Sequence, residues 1–440
     1  MRVVKNDEDS VPGASEDGTL PQNSVKAPMT EQNAASEDFP VESPVAASNI
    51  IVDASRFSAP RVALLWQTPS LGLYSNTKFD TLYKGIGHNN GNLAFVYAIA
   101  SHVANTKVFM PWHSKPEALR AAADLLVIPC ANQLGAHTDL GVMADNLAAA
   151  GVPIVAIGLG AQTKGYGEDM QLSEGTHRWA ETLARLKVSS DANILTRGAY
   201  TVEQLNKIGI VGAQSGGCPS HFINPARDLG ARIAANWNGG DTIRSITVAA
   251  GHQAWGYMRP IEHQLIAMMM DPLYPGQYVV QSMSDMIKIS RNEFASIQDE
   301  ILDRIRNHTV PHYSREEFLG WCRRYARSYY DIPAWMDSLR QHDLTIGARY
   351  HGVALALQAE KMGLTITIDS RTRELCENTG VPHVSHEQLT GPLTRQALKK
   401  LVAFNAKKYD AFRRSMAQKY VAFLQNNSVA PAPFLLNLAR

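Results

Sequence analysis

Short apolar runs alternate with longer helical segments along most of this chain, and that alternation limits what it can fold into. Arg61–Trp66 (RVALLW), Asp124–Pro129 (DLLVIP), Val152–Gly160 (VPIVAIGLG) and Asn193–Arg197 (NILTR) read as buried strands. Between and after them, Gly91–Ala104, Leu140–Gly151, Glu174–Leu186 and the segment stopped by Gly209 carry apolar residues at helical spacing. Strands and helices in strict alternation specify a parallel sheet covered on both faces.

The pattern then breaks and restarts. Arg227–Asp241 (RDLGARIAANWNGGD) reads as a loose boundary. Ser245–His252 opens a second series. A capping box, Ser314 with Glu317, announces one of its helices, and Asp331 ahead of Pro333 announces another. DLTIGARYHGVALALQAEKMG reads as strand, turn and helix with Gly363 as the stop, followed by a strand at Leu364–Asp369 and a helix ending at Gly380. Two helices close the chain, and the stripe Tyr409, Phe412, Met416, Tyr420 and Phe423 on the last is core packing. The expected fold is α/β with two Rossmann-like domains, residues 59–230 and 231–400, and a closing helical segment, residues 401–440.

Composition sets the remaining bounds. A chain of 440 residues, 45% hydrophobic, can build two cores. A formal charge of +1 with 19% charged residues gives no support for a nucleic-acid partner. No apolar run approaches the ~18 residues of a membrane span. Residues 1–58 are rich in Ser, Pro, Ala, Asn and acidic residues and are expected to be a disordered acidic tail. No secretory signal opens the chain, so a cytoplasmic location is expected. The four cysteines (Cys130, Cys218, Cys322, Cys376) have no zinc spacing and read as reduced, buried thiols, and no metal is expected.

Ligands of open parallel sheets sit outside the carboxyl ends of the strands. There the sequence places HNNGN (His88–Asn92), CANQ after Pro129, Gly158, Gly160, Gln162 and Lys164, and Arg197. In the second half it places His252 and Gln253, then Arg349 and His351, then Asp369, Arg371 and Arg373. Corresponding polar edges of the two domains, turned toward each other, make a cleft.

Arg349 and His351 carry the most chemistry. Gly347 and Gly352 permit a tight strand-to-helix turn that sets both residues beside the first amides of a helix, where an anion is favoured. Arg349 adds a planar, permanent charge, and His351 a proton donor or acceptor near neutral pH. Taken singly, each suits an ion pair or a helix cap; together between two glycines they suit an anionic substrate on which a proton must move. Arg197 alone also suits an ordinary ion pair. GLGAQ is not a dinucleotide fingerprint. His383 and His386 read as a loop without a metal.

These motifs resemble the polysaccharide pyruvyl transferase family. GARYHGVALALQAEKMGLTITIDSRTRELCENTGVP is similar to its Arg-x-His-Gly signature segment. HNNGN, VPIVAIGLGAQ and ILTRGAYTVEQLNKIGI resemble its Asn-x-Gly loop, Gly-x-Gly-x-Gln strand end and Arg-then-helix segment. The resemblance implies two facing domains of GT-B type, with the C-terminal helix returning to the first. It implies an enzyme that moves pyruvate from phosphoenolpyruvate onto two hydroxyls of a saccharide, without a further cofactor. His351 and Arg349 are then the expected catalytic residues. Arg197, Arg349, Gly160, Gln162 and Arg371 are expected to bind the donor, and Asn89, Asn92 and Asp369 the acceptor. Asn92 stands where many members have Asp, CANQLG replaces a glycine-rich loop, and Arg371 replaces a Lys. A GT-B glycosyltransferase using a nucleotide sugar and a non-catalytic glycan-binding relative are the alternatives. Neither the acceptor, its attachment to lipid, nor the oligomeric state is legible.

Overall fold

The structure, a computed structural model, describes residues 59–66, 77–162, 168–240 and 242–440, without the side chains of residues 370 and 371. The expected tail over residues 1–58, Lys164 and the side chain of Arg371 lie outside the described residues.

Two six-stranded parallel sheets form the frame. The first comprises β1 (Val62–Leu65), β2 (Lys107–Met110), β3 (Leu125–Pro129), β4 (Ile154–Leu159), β5 (Ile194–Thr196) and β6 (Ala213–Ser215), in the order β2-β1-β3-β4-β5-β6. The second comprises β7 (Ile246–Ala249), β8 (Gln277–Val279), β9 (Ala326–Arg327), β10 (Leu344–Gly347), β11 (Met362–Thr367) and β12 (His383–Ser385), in the order β12-β11-β10-β7-β8-β9. The α/β class expected from the alternation is the one found. Central strands β3, β4, β7, β10 and β11 are buried along their whole length, as strands covered on both faces must be.

The second sheet has the doubly wound order in which chain direction across the sheet reverses between β7 and β10. A crevice opens at such a reversal, outside the strand ends. The segments that follow β7 and β10 therefore start side by side at that reversal, and they carry His252, Trp255, Arg349 and His351.

Three expectations are corrected. The stretch read as a loose boundary is a helix over Leu229–Asn238, which buries Leu229, Ile233 and Trp237 and packs on the long helix Ala406–Asn426. Gly363 does not stop the preceding helix: that helix ends at Gln358, Glu360 makes the turn at φ 63°, and Gly363 lies inside β11. The chain ends in three helices, Arg395–Leu401, Ala406–Asn426 and Pro433–Leu438, rather than two.

The C-terminal segment returns to the first sheet's elements. Ala432 N–H donates to the His102 carbonyl (2.7 Å), and Ala104 N–H donates to the Ala430 carbonyl (2.8 Å). The stripe read from sequence contributes Tyr409, Met416, Tyr420 and Phe423 to the core. Arg413, on the same helix, is 1% exposed. It donates to the carbonyls of His221 (3.0 Å), Ala226 (2.7 Å) and Asn224, fixing the loop that begins at Cys218.

The loop before the helix Asn92–His102 is tied to the second sheet. Asn90 N–H donates to the Gln281 carbonyl (2.9 Å), and Asn89 forms an antiparallel bridge with Ser282. Gln281 follows β8 and is 3% exposed, wedged between Gly91 and Gly352. A Cβ on Gly352 would lie 2.6 Å from Gln281 Nε2, so a larger residue there would have to displace the Gln281 amide.

Candidate functional site

The turn between β10 and the helix Tyr350–Gln358 is built by close backbone approach. Gly347 has φ 153°, and a Cβ there would lie 2.1 Å from the Ala249 carbonyl oxygen of β7. That contact seats the turn on the strand across the reversal. Arg349 and His351 emerge from it half-buried and lead to different neighbours.

His351 turns toward the first sheet. Its Nε2 lies 3.6 Å from Cys218 Sγ, and its ring is 5.8 Å from that of Phe95, centroid to centroid. Phe95 belongs to the helix Asn92–His102 and is fully buried. Arg197, 6% exposed at the end of β5, places its guanidinium carbon 5.7 Å from the centroid of the same ring. Its Nε donates to the Gly158 carbonyl (2.9 Å), and Gly160 lies against its Cδ. Arg197 from one sheet and His351 from the other therefore meet at Phe95 and Cys218.

Electrostatics agree with that closeness. Burial pushes the Cys218 thiol up, and the charge of Arg197 partly opposes it. Cys218 stays a neutral thiol, a soft contact for the imidazole, and Ser220 lies 3.0 Å from its sulfur.

Arg349 goes the other way, into the segment after β7. Its guanidinium carbon sits 4.6 Å from the centre of the Trp255 ring system. The ring quadrupole favours a cation at that distance. His252 packs 5.9 Å from Trp255. Burial first, and then the charge of Arg349, pull the His252 imidazole down to about 4. Tyr257, half-exposed at the rim, is raised by burial and by Asp369 and lowered by Arg349.

Beneath this segment is a buried polar knot. Glu262, 2% exposed, accepts from Gly251 N–H (3.1 Å) and from the Tyr278 hydroxyl, and lies 3.0 Å from His308 Nε2. Burial alone would raise the Glu262 carboxyl; the imidazole and phenol beside it reverse the sign and hold it below its ordinary value.

The remaining expected site residues are placed as follows. Asn89 accepts Gly91 N–H through Oδ1 (2.9 Å), and Gly91 in turn lies against the Cβ of His351. Asn92 donates through Nδ2 to the carbonyls of Ile86 and Gly87, 3.1 Å each, so any contact with a saccharide would fall to its Oδ1. Gln162 is exposed and accepts from the Asn132 amide. Asp369 caps the helix Ser370–Glu377, accepting Thr372 N–H (2.7 Å) and its hydroxyl (2.6 Å). Glu374, on that helix, accepts Tyr200 N–H (3.0 Å) across the seam, and its carboxyl is raised by burial although Arg197 draws it down.

Sequence reasoning does not single out Phe95, Cys218, Trp255, Gln281 or Glu374 as site neighbours. Phe95 reads as ordinary helix core, and Cys218 as a buried thiol. Only Trp255 had a signal, three residues past His252 at a strand end.

A separate open depression of about 630 Å³ lies over the helices Gly141–Ala150 and Glu174–Arg185, lined by Arg178, Lys187 and Val211 among others. None of the expected site residues lines it. Among the described residues, no helix is long and apolar enough to cross a membrane.

Comparison with solved structures finds distant likenesses. The S. aureus MnaA–UDP co-structure matches at 8% identity and a TM-score of 0.36, over 82% of this chain and 96% of that one. A putative UDP-N-acetylglucosamine 2-epimerase from Listeria monocytogenes matches at 11% identity and 0.40, over 83% and 97%. The glycosyltransferase SnogD from Streptomyces nogalater matches at 14% and 0.28, over 79% and 84%. Likeness at this level carries no functional weight. No curated protein matches the sequence. The polysaccharide pyruvyl transferase family does match, over residues 89–370, a span that opens at Asn89 and takes in Arg197, Arg349 and His351. The chain, a transferase by that membership, belongs to the polysaccharide pyruvyl transferase family.

Proposed function

We propose that this transferase uses phosphoenolpyruvate as donor and closes a pyruvate ketal on two hydroxyls of a saccharide. The observation that carries this reading is the meeting of Arg197 and His351 at Phe95 and Cys218, with Arg349 over Trp255 on the far side of the same turn. Two guanidinium groups from different sheets suit a compact donor with a phosphate and a carboxylate.

Protonated His351 gives its proton to the methylene carbon of the donor, which becomes a methyl group. One saccharide hydroxyl bonds to the adjacent carbon and releases its proton, which restores the imidazolium. Arg197 and Arg349 hold the two anionic groups and offset charge on the departing phosphate. The second hydroxyl then bonds to the same carbon, the carbon–oxygen bond to phosphate breaks, and phosphate leaves with the electron pair and the second hydroxyl proton. One donor and one diol thus give one ketal and one phosphate. The chemistry as written needs no metal and no further cofactor. Asp369 is a weaker candidate for the acceptor side, since its carboxylate already caps a helix.

The test is phosphate release from phosphoenolpyruvate by the full chain, with and without a panel of saccharide diols. The reading predicts release that depends on the acceptor. Release from no combination, or transfer from a nucleotide sugar instead, contradicts it.

A further inference from the structure

The segment after β7 holds a donor that the reading above does not use. His252 Nδ1 accepts the Ala254 N–H at 3.1 Å. An imidazole that accepts at Nδ1 while neutral must carry its proton on Nε2. That Nε2 is buried and has no hydrogen-bond partner among the described residues. A buried N–H left unmet costs about 1–3 kcal/mol, so an acceptor oxygen brought to it by a ligand is stabilised there.

Position favours the same conclusion. His252 and Arg349 follow the two strands between which the sheet reverses, and both pack on Trp255. The segment is anchored from below, because Glu262 holds Gly251 N–H and is itself held by Tyr278 and His308. The donor is thus set on a fixed support beside a guanidinium.

We infer that His252 contacts substrate, donating a hydrogen bond from Nε2 to an oxygen of the anionic group that Arg349 holds. The inference rests on the reading of an anionic donor. A neutral imidazole suits this place: it adds a directed hydrogen bond beside Arg349 without a second positive charge to repel the first.

Calorimetric titration of the full chain with phosphoenolpyruvate, and separately with inorganic phosphate, tests it. His252→Leu removes the donor; His252→Gln keeps an amide N–H near the position of Nε2. Loss of a hydrogen bond to a charged group predicts at least roughly 10-fold weaker binding of phosphoenolpyruvate by His252→Leu. His252→Gln should stay within about 3-fold of wild type. Equal affinity in wild type and a folded His252→Leu overturns the inference and leaves the anion reading standing. No binding by wild type overturns both. A second measurement needs no variant: ¹⁵N-histidine spectra of the wild-type chain. One ring with a protonated Nε2 should shift on addition of phosphoenolpyruvate and lose that response in His252→Gln. A response that persists unchanged in His252→Gln contradicts the assignment.

Discussion

Arg349 places its guanidinium carbon 4.6 Å from the centre of the Trp255 ring, so the signature arginine reaches toward the segment after β7. A cation over an indole is held by its face, worth about 0.5–2 kcal/mol. Lysine would keep the charge but lose the planar, bidentate fork. Arg349→Lys is therefore expected to weaken donor binding about 10-fold or more, measured as KM for phosphoenolpyruvate. Trp255→Leu should produce a smaller loss in the same direction while Arg349 is intact. An unchanged KM in both variants argues against anion holding by Arg349.

Substitution of His351 should affect rate rather than fold. General acid catalysis supplies about 10²–10⁴-fold, so His351→Ala should lose at least roughly 100-fold in kcat. The ring is half-buried at the seam and contacts Phe95 and Cys218, so a modest drop in thermal midpoint is also expected. Near-normal turnover in the folded variant would remove His351 from the mechanism.

Cys218 touches the candidate acid without being a nucleophile. All four cysteines are buried, and burial pushes the thiols of Cys130 and Cys376 up to about 12. The native chain should react with a thiol-specific disulfide reagent only as fast as it unfolds. Cys218→Ala should retain activity within about 10-fold, since what is lost is a small side chain and weak sulfur hydrogen bonds to His351 and Ser220. Rapid labelling of one thiol in the native state would contradict this picture.

Buried histidines set the acid limit of stability. Burial holds His102 down to about 3, and His221 well below its ordinary value. For a histidine lowered in the fold, the unfolded chain binds the proton first. Stability is therefore full above about pH 6.5 and falls as pH drops from there toward the folded value, by up to about 1.4 kcal/mol per pH unit for each group. Urea unfolding should show a clearly lower free energy at pH 5 than at pH 7. A flat profile over that range would mean that these imidazoles are solvated or paired in the native state.

The Glu262 knot predicts a large structural effect. Glu262→Leu leaves the Tyr278 hydroxyl, His308 Nε2 and Gly251 N–H without their acceptor, at a cost of about 3–5 kcal/mol by comparison with broken buried pairs. Chemical denaturation measures it directly. A loss below about 1 kcal/mol would show that the knot does not anchor the segment after β7.

The strands that fill the sheet centres were legible because burial on both faces leaves runs such as LLVIP and IVAIGL without a polar break. Four shorter strands were not. β6, β8 and β12 have three residues each and β9 two, too short to show any period. The helix Leu229–Asn238 was hidden because its buried face is only Leu229, Gly230, Ile233 and Trp237, set among glycine, alanine and asparagine. At the site, Arg349 and His351 were visible because glycines flank them, Gly347 demanded by the Ala249 backbone and Gly352 set close against Gln281. Their partners were not visible. Phe95, Cys218 and Trp255 are brought in from elsewhere in the chain by sheet topology, and nothing local to them marks the meeting.

The most direct measurement is mass spectrometry of a saccharide diol incubated with the full chain and phosphoenolpyruvate, with phosphate counted in the same reaction. The account predicts a product heavier by one pyruvate less one water, one phosphate for each ketal formed, and neither product with His351→Ala. An unchanged acceptor across the panel, or a sugar added from a nucleotide sugar, would contradict it.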